Sequence, residues 1–255
     1  MLKISSIVLL MLCYEFLSYR QHLINPTDTT IPTFYQMGQA FVKVCTPDGQ
    51  GKIWLLDDLR ATVSRHFIGL SLGVITSVVL GVLMGCFKVV EHFCLPILSF
   101  SARIAPTAML AVFFVVIGTD YKMFLSIIAF GVTPTLTQAI YQAAKYDVPQ
   151  ELINKAYTLG ASNCEVISNI VTMTILPRII ESIRLQVGPA MVCLIAAEWV
   201  MGDVGFGYRL RMQSRLTNMA VVYDYIIVLG FIGVIFDKGL TYLRQLSCPW
   251  FDTEK

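Results

Sequence analysis

The 255-residue chain is 56% hydrophobic and 14% charged, with a formal net charge of +2. Soluble domains average about 25% charged residues and have strand-sized apolar runs, so this composition excludes an ordinary soluble protein and places the chain among lipid. The near-neutral charge, without a Lys/Arg cluster, excludes nucleic acid as a partner.

The first apolar run covers residues 2–18. Tyr14, Glu15, Phe16 and Tyr19 stand where a signal peptide would need small residues, so the run is expected to be an uncleaved first span about 25 Å long. Residues 19–63 form a long connection that begins with the turn-rich "NPTDTTIPTFYQMG". Two amphipathic stretches follow, 34–45 and 53–65. In the second, Ile53, Trp54, Leu55, Leu59 and Val63 share a face while Asp57, Asp58 and Arg60 lie elsewhere, which predicts an interfacial helix leading into the next span.

Five further runs, 66–87, 94–117, 122–143, 178–200 and 224–244, bring the total to about six spans. In lipid every backbone N–H needs a partner, and long runs without barrel alternation satisfy this as helices, so the expected fold is an all-α polytopic membrane protein. The second span carries Gly69-x-x-x-Gly73 and Gly81-x-x-x-Gly85, a spacing that lets helices approach closely. Arg103 falls about seven residues after Pro96, about 10 Å into the third span. A cation there must face the bundle or water; it either attracts an anionic substrate or serves packing.

Segment 144–177, "AKYDVPQELINKAYTLGASNCEVISNIVTMTILP", interrupts the apolar pattern. Pro149 opens a helix with Glu151 in its first turn, and Gly160 permits a sharp bend. Ser162 or Asn163 caps a second short helix, and Pro177 starts the next span. The segment is a helix-turn-helix whose polar residues face water or a partner.

Glu198 lies near the outer end of the fifth span beside Trp199, a residue suited to the interface. It is read either as pairing with Arg209 or Arg211 to close an outer gate, or as an interface carboxylate. Gly202, Gly205 and Gly207 break regularity in 201–223, predicting a re-entrant or surface loop. Glu181 and Arg184 have same-face spacing, and Asp237 with Lys238 lies inside the sixth span. The seven cysteines and three histidines make no metal-ligand spacing, so no metal is expected. No catalytic constellation and no Walker A pattern appear; energy must come from another subunit.

At the interrupted segment the chain resembles the permease subunits of binding-protein-dependent bacterial ABC importers. Their cytoplasmic loop has the pattern E-A-A-x-x-x-G, nine residues, then I-x-L-P. Here Asn154-Lys155-Ala156 stands where E-A-A is expected, followed by Tyr157-Thr158-Leu159 and Gly160, with Ala161 next. Ile170 matches, Thr172 and Met173 replace Leu-Pro, and Pro177 matches a second proline; Glu151 stands one turn before the missing glutamate. "RATVSRHFIGLSLGVITSVVLGVLMG" and "SFSARIAPTAMLAVFFVVIG" resemble the family's second and third spans, and "AAEWVMGDVGFGYRL" and "GVIFDKGLTYLRQLSCPW" resemble its nitrate, sulfonate and taurine branch.

The resemblance covers residues 50–250 and implies a multi-pass protein of the bacterial inner membrane. It divides the chain into a first helix with outer loop (1–65), a permease core (66–245) and a cytoplasmic tail (246–255). Coupling to ATP-binding subunits falls to Glu151, Asn154, Ala156, Leu159, Gly160, Ala161 and Pro177, and the pathway or gate to Arg103, Glu198 and Arg209. The implied partners are two ATPases, which would hold ATP and Mg, a periplasmic or lipid-anchored substrate-binding protein, and a second permease copy in a homodimer. Nitrate, a sulfonate or taurine is the implied substrate. A thiamine- or riboflavin-like precursor is the alternative, as is a non-transporting scaffold with a decayed coupling loop.

Overall fold

The computed structural model describes residues 2–24, 29–47, 49 and 51–249. Among them are the helices α1 (Leu2–Ile24), α2 (Phe34–Cys45), α3 (Trp54–Cys86), α4 (Lys88–Ser101) and α5 (Leu110–Ile117). Then come α6 (Tyr121–Tyr146), α7 (Gln150–Thr158), α8 (Asn163–Met201), α9 (Phe206–Arg215) and α10 (Met219–Ser247). Four of them, α3, α6, α8 and α10, are long and apolar enough to cross a membrane.

Several expectations need correction. The stretch 53–65 is not a separate interfacial helix: α3 runs unbroken for 33 residues, about 50 Å. The apolar run 94–117 is not one span, because residues 102–109 leave the helix between α4 and α5. Pro106 removes a backbone donor there, and Ala108, Met109 and Leu110 make short three-residue turns to Ala105, Pro106 and Thr107. Arg103 therefore sits on an exposed turn, not inside a helix. Pro177 does not start a span; it lies inside α8 and is buried. Segment 201–223 holds the regular helix α9 rather than an irregular loop.

Two compact units form. One takes the residues up to Thr62 together with Glu198–Phe231, the other Val63–Ala197 together with the residues from Ile232 onward. In the first unit, Thr33 and Gln36 form a reciprocal capping box that starts α2, satisfying two orphan N–H groups. The Tyr14 ring packs on Phe34 and Tyr223, and its hydroxyl donates to the Pro32 carbonyl at 2.8 Å, fixing α1 against α2.

In the second unit α3 and α6 run parallel along a glycine seam. Gly69, Gly73, Gly81 and Gly85 meet Ile128, Val132, Ile140 and Ala144 in order. A Cβ at Gly85 would lie 2.4 Å from the Ala144 Cβ, and one at Gly81 2.8 Å from the Ile140 Cβ. Between them the Ser77 hydroxyl donates to the Gly73 carbonyl at 2.6 Å, and Thr76 meets Thr133 at 3.2 Å. The spacing anticipated close approach, and the structure supplies the partner helix. A leucine at Gly85 is expected to wedge the seam open and destabilise the protein by about 1–3 kcal/mol. Thermal unfolding in detergent measures this, and an unchanged midpoint would mean that the seam yields freely.

Candidate functional site

Two sites emerge, one in each unit. The first is the hairpin of α7 and the start of α8. Helix α7 ends by a Schellman closure: Ala161 N–H donates to Ala156 O and Gly160 N–H to Tyr157 O, each near 3 Å. Gly160 sits at φ +86° with open space around it, so the left-handed backbone is what the turn demands of this residue. Ala156, beneath the closure, is buried. Ser162 and Glu165 then form a reciprocal capping box that opens α8, and the Tyr157 hydroxyl donates to Asn163 across the turn at 3.0 Å.

The expected second short helix is thus the first turn of α8 itself. Its backbone widens into a π turn at Val166–Val171, where Thr172 N–H and its hydroxyl both donate to the Ile167 carbonyl. Of the sequence-predicted residues, Glu151, Asn154, Leu159 and Gly160 are exposed on the hairpin and Ala161 is half-buried. Leu159, at the tip, is 87% exposed. Pro177 stands apart from them, deeper in α8.

Behind the hairpin lies a cavity of about 410 Å³ whose polar lining includes Lys88, Glu91, Lys145, Gln150 and Asn163. Glu91 accepts from Lys145 at 2.6 Å and from Tyr141 at 2.7 Å, joining α4 to the end of α6. The Lys145 ammonium, and after it the Tyr141 hydroxyl, hold the Glu91 carboxyl below its ordinary value of 4.5. A depressed carboxyl contributes stability that is full above the unfolded value and is lost as pH falls through the folded one. Glu91→Gln is therefore expected to separate from the wild type in unfolding midpoint at neutral pH and to converge with it below pH 4.5. Equal midpoints throughout would show the pair to be silent. Further along α8, Arg184 pairs with Asp237 and Glu181, and Glu181 accepts from Arg244 at 2.8 Å, so Asp237 serves Arg184 rather than its neighbour Lys238.

The second site is a buried polar cluster in the first unit. Three side chains cap the N-terminus of α9: Asp58 accepts from Gly205 N–H at 3.0 Å, Thr62 from Phe206 N–H at 2.9 Å, and Glu198 from Gly207 N–H at 3.1 Å. These are the donors a helix start leaves unpaired, and both carboxylates sit at its positive end. The Thr62 hydroxyl also reaches Glu198 at about 3 Å. Gly205, at φ +126°, brings its backbone so near Glu198 that a Cβ would fall 2.6 Å from the carboxylate carbon.

Arg209 and Arg211, expected beside Glu198, engage other groups. Arg209 donates to Asp58 at 2.8 Å and lies over the Trp54 ring at 4.6 Å. Arg211 donates to the carbonyls of Val200 and Gly202, the orphan acceptors at the end of α8. Asp58 also accepts from the Tyr225 hydroxyl at 2.9 Å, which makes it the hub of the cluster. Asp58, Thr62 and Glu198 have no exposed surface. Arg103 belongs to neither site. Sequence reasoning missed Asp58, Thr62 and Tyr225; the one available signal was an aspartate four residues before a threonine at the start of an apolar helix.

Residues 73–245 match the family described as "Binding-protein-dependent transport system inner membrane component". A putative ABC transporter permease protein of Methanocaldococcus jannaschii is 29% identical over 77% of this chain and 73% of that protein. The taurine transport system permease protein of Escherichia coli is 24% identical over 86% of this chain and 80% of its own length. The nitrate import permease protein of Synechocystis sp. is 23% identical over 74% of this chain and 68% of its own. A solved chain of the MetNI methionine ABC transporter, in an inward-facing conformation, shares the fold with a TM-score of 0.65 at 14% identity, over 74% of this chain and 94% of that one.

Proposed function

Since this chain belongs to the binding-protein-dependent transport system inner membrane components, and so is a multi-pass inner-membrane permease subunit of an ABC importer, we propose that it carries a small oxyanion and couples to its ATPase through the α7–α8 hairpin. The observation that carries this reading is the hairpin itself. It is closed by its own hydrogen bonds at both ends of the turn, and it presents the bare Leu159 side chain outward. A local fold that holds an apolar tip in the open is suited to a groove on another protein.

The second arm of the hairpin is continuous with a membrane-crossing helix. Any displacement of Leu159 is therefore delivered along α8, whose 39 residues reach about 58 Å. Two ATPase subunits closing on ATP would draw two such hairpins together and reorient the spans behind them. In this reading ATP and Mg²⁺ belong to the ATPase, a second permease copy completes the pathway, and a substrate-binding protein delivers the solute to the opposite side. Glu151 and Asn154 lie on the exposed face of α7 and supply polar contacts at the same groove. The polar cluster around Asp58 anchors α9 as a fixed element, with Glu198 and Arg209 as its struts.

An oxyanion is the substrate class because the taurine and nitrate permeases that resemble this chain are named for solutes sharing that group. The test is reconstitution of the chain with its ATPase and binding protein in vesicles, measuring uptake of labelled taurine and nitrate. ATP-dependent accumulation of either is expected. Uptake that ignores ATP, or accumulation of a thiamine-like precursor in place of both, would overturn the reading.

A further inference from the structure

Helices α4 and α5 pack along α6 in the opposite direction. Gln138 donates to Ser99 at 3.4 Å, Pro106 lies against Gly131, and Phe113 meets the Phe130 ring edge-on at 5.6 Å. The non-helical residues 102–109 are thus level with the middle of α6. Irregular backbone at that depth persists only where protein buries it or where it lines a polar cavity. A cavity of about 430 Å³ lies there.

Its polar lining is Ser101, Thr107, Thr135 and Gln186, with no charged side chain among the described residues that line it. The Ser101 and Thr135 hydroxyls already donate to the Ile97 and Val132 carbonyls. The donors left over are the Thr107 hydroxyl, the Thr107 N–H and the Gln186 amide, none of which has a partner among the described residues. On the acceptor side, the backbone carbonyls of Ala102 and Ile104 receive no backbone hydrogen bond. Gly131 makes the cavity possible: a Cβ there would lie 3.2 Å from both Pro106 and the Cys193 sulfur.

We propose that this cavity is a subsite for the transported oxyanion at mid-membrane, with Thr107 and Gln186 as its hydrogen-bond donors. The inference rests on the oxyanion-importer reading. Several donors and no carboxylate suit an anion and disfavour a cation. The lack of a lysine or arginine in the lining keeps the hold weak, which a site on a pathway requires if the solute is to leave. The free carbonyls would in addition receive the ammonium of an aminosulfonate, so taurine and nitrate are distinguishable probes.

The experiment uses the assembled permease–ATPase complex with Ile104→Cys, a lining position, as the sole cysteine. Its labelling by N-ethylmaleimide is followed with taurine or nitrate present. Saturable protection by at least one probe is expected. Gln186→Ala and, as a second variant, Thr107→Val should each raise the protecting concentration about tenfold, the loss of one hydrogen bond to a charged group. Labelling that neither probe slows, in a complex that still accumulates the probe with ATP, would overturn the subsite and leave the importer reading standing. Neither protection nor uptake with either probe, in a complex that still retains its ATPase, would overturn the oxyanion assignment and the subsite with it.

Discussion

Asp58→Ala is expected to destabilise the protein by about 3–5 kcal/mol, the loss that follows when a buried ion pair keeps one charge and loses the other. The alanine would strand the Arg209 guanidinium, the Tyr225 hydroxyl and the Gly205 N–H together, all of which now converge on one carboxylate. The Tyr225 hydroxyl and the Gly205 N–H sit out of water and the Arg209 side chain is 17% exposed, so the first two recover no hydration without opening the cluster and the third recovers only part. Asp58→Asn keeps the acceptor and removes the charge, and should fall between alanine and the wild type. Adding Arg209→Met to Asp58→Ala should restore part of the loss, because the unpaired charge goes with the arginine. Unfolding of the purified chain in detergent measures all three. An Asp58→Ala midpoint indistinguishable from wild type would mean that water reaches the cluster and the hub role is wrong.

The second large effect falls on function, with stability untouched. Leu159→Asp is expected to abolish co-purification of the ATPase and to lower ATP-driven uptake by about thirtyfold or more, the loss of a hot-spot side chain worth about 2 kcal/mol. The leucine is 87% exposed and the Schellman closure beneath it uses only backbone groups, so the hairpin itself has no reason to change. Unfolding temperature should match wild type within error, which separates a docking defect from misfolding. Full ATPase retention by a well-folded Leu159→Asp chain would remove the tip from the interface.

What the sequence disclosed depended on how local the physics was. The hairpin was readable because Gly160 and Ser162 each act within five residues: a left-handed turn, then a cap. The glycine pairs in α3 announced close packing, although not against which helix. The broken third span escaped because 94–117 is apolar almost throughout, and the effect of Pro106 depends on its seat against Gly131. The Asp58 cluster escaped for a different reason. Its carboxylate and the Thr62 hydroxyl bond to groups 136 to 167 residues away, and no window on the sequence spans that distance. Arg209 was singled out as a cation beside a gate; its actual partner was visible only as one more acidic residue on the polar face of a helix.

The self-closed hairpin also bears on how this stretch tolerates evolutionary drift. Its shape is held by backbone hydrogen bonds at the turn, by Gly160, and by the Ser162–Glu165 capping box. Among the other positions from 150 to 165, Tyr157 and Asn163 add a hydrogen bond across the turn and Ala156 must stay small enough to fit beneath it, while exposed positions such as Glu151, Asn154 and Leu159 can change without altering the path of the chain. Such a segment can shed the acidic residue and the first proline that its relatives' pattern carries and still arrive at the same bend. The recognition surface and the scaffold that presents it are thereby uncoupled, so a permease and its own ATPase are able to exchange contact residues pair by pair across generations while the joint between them keeps its form.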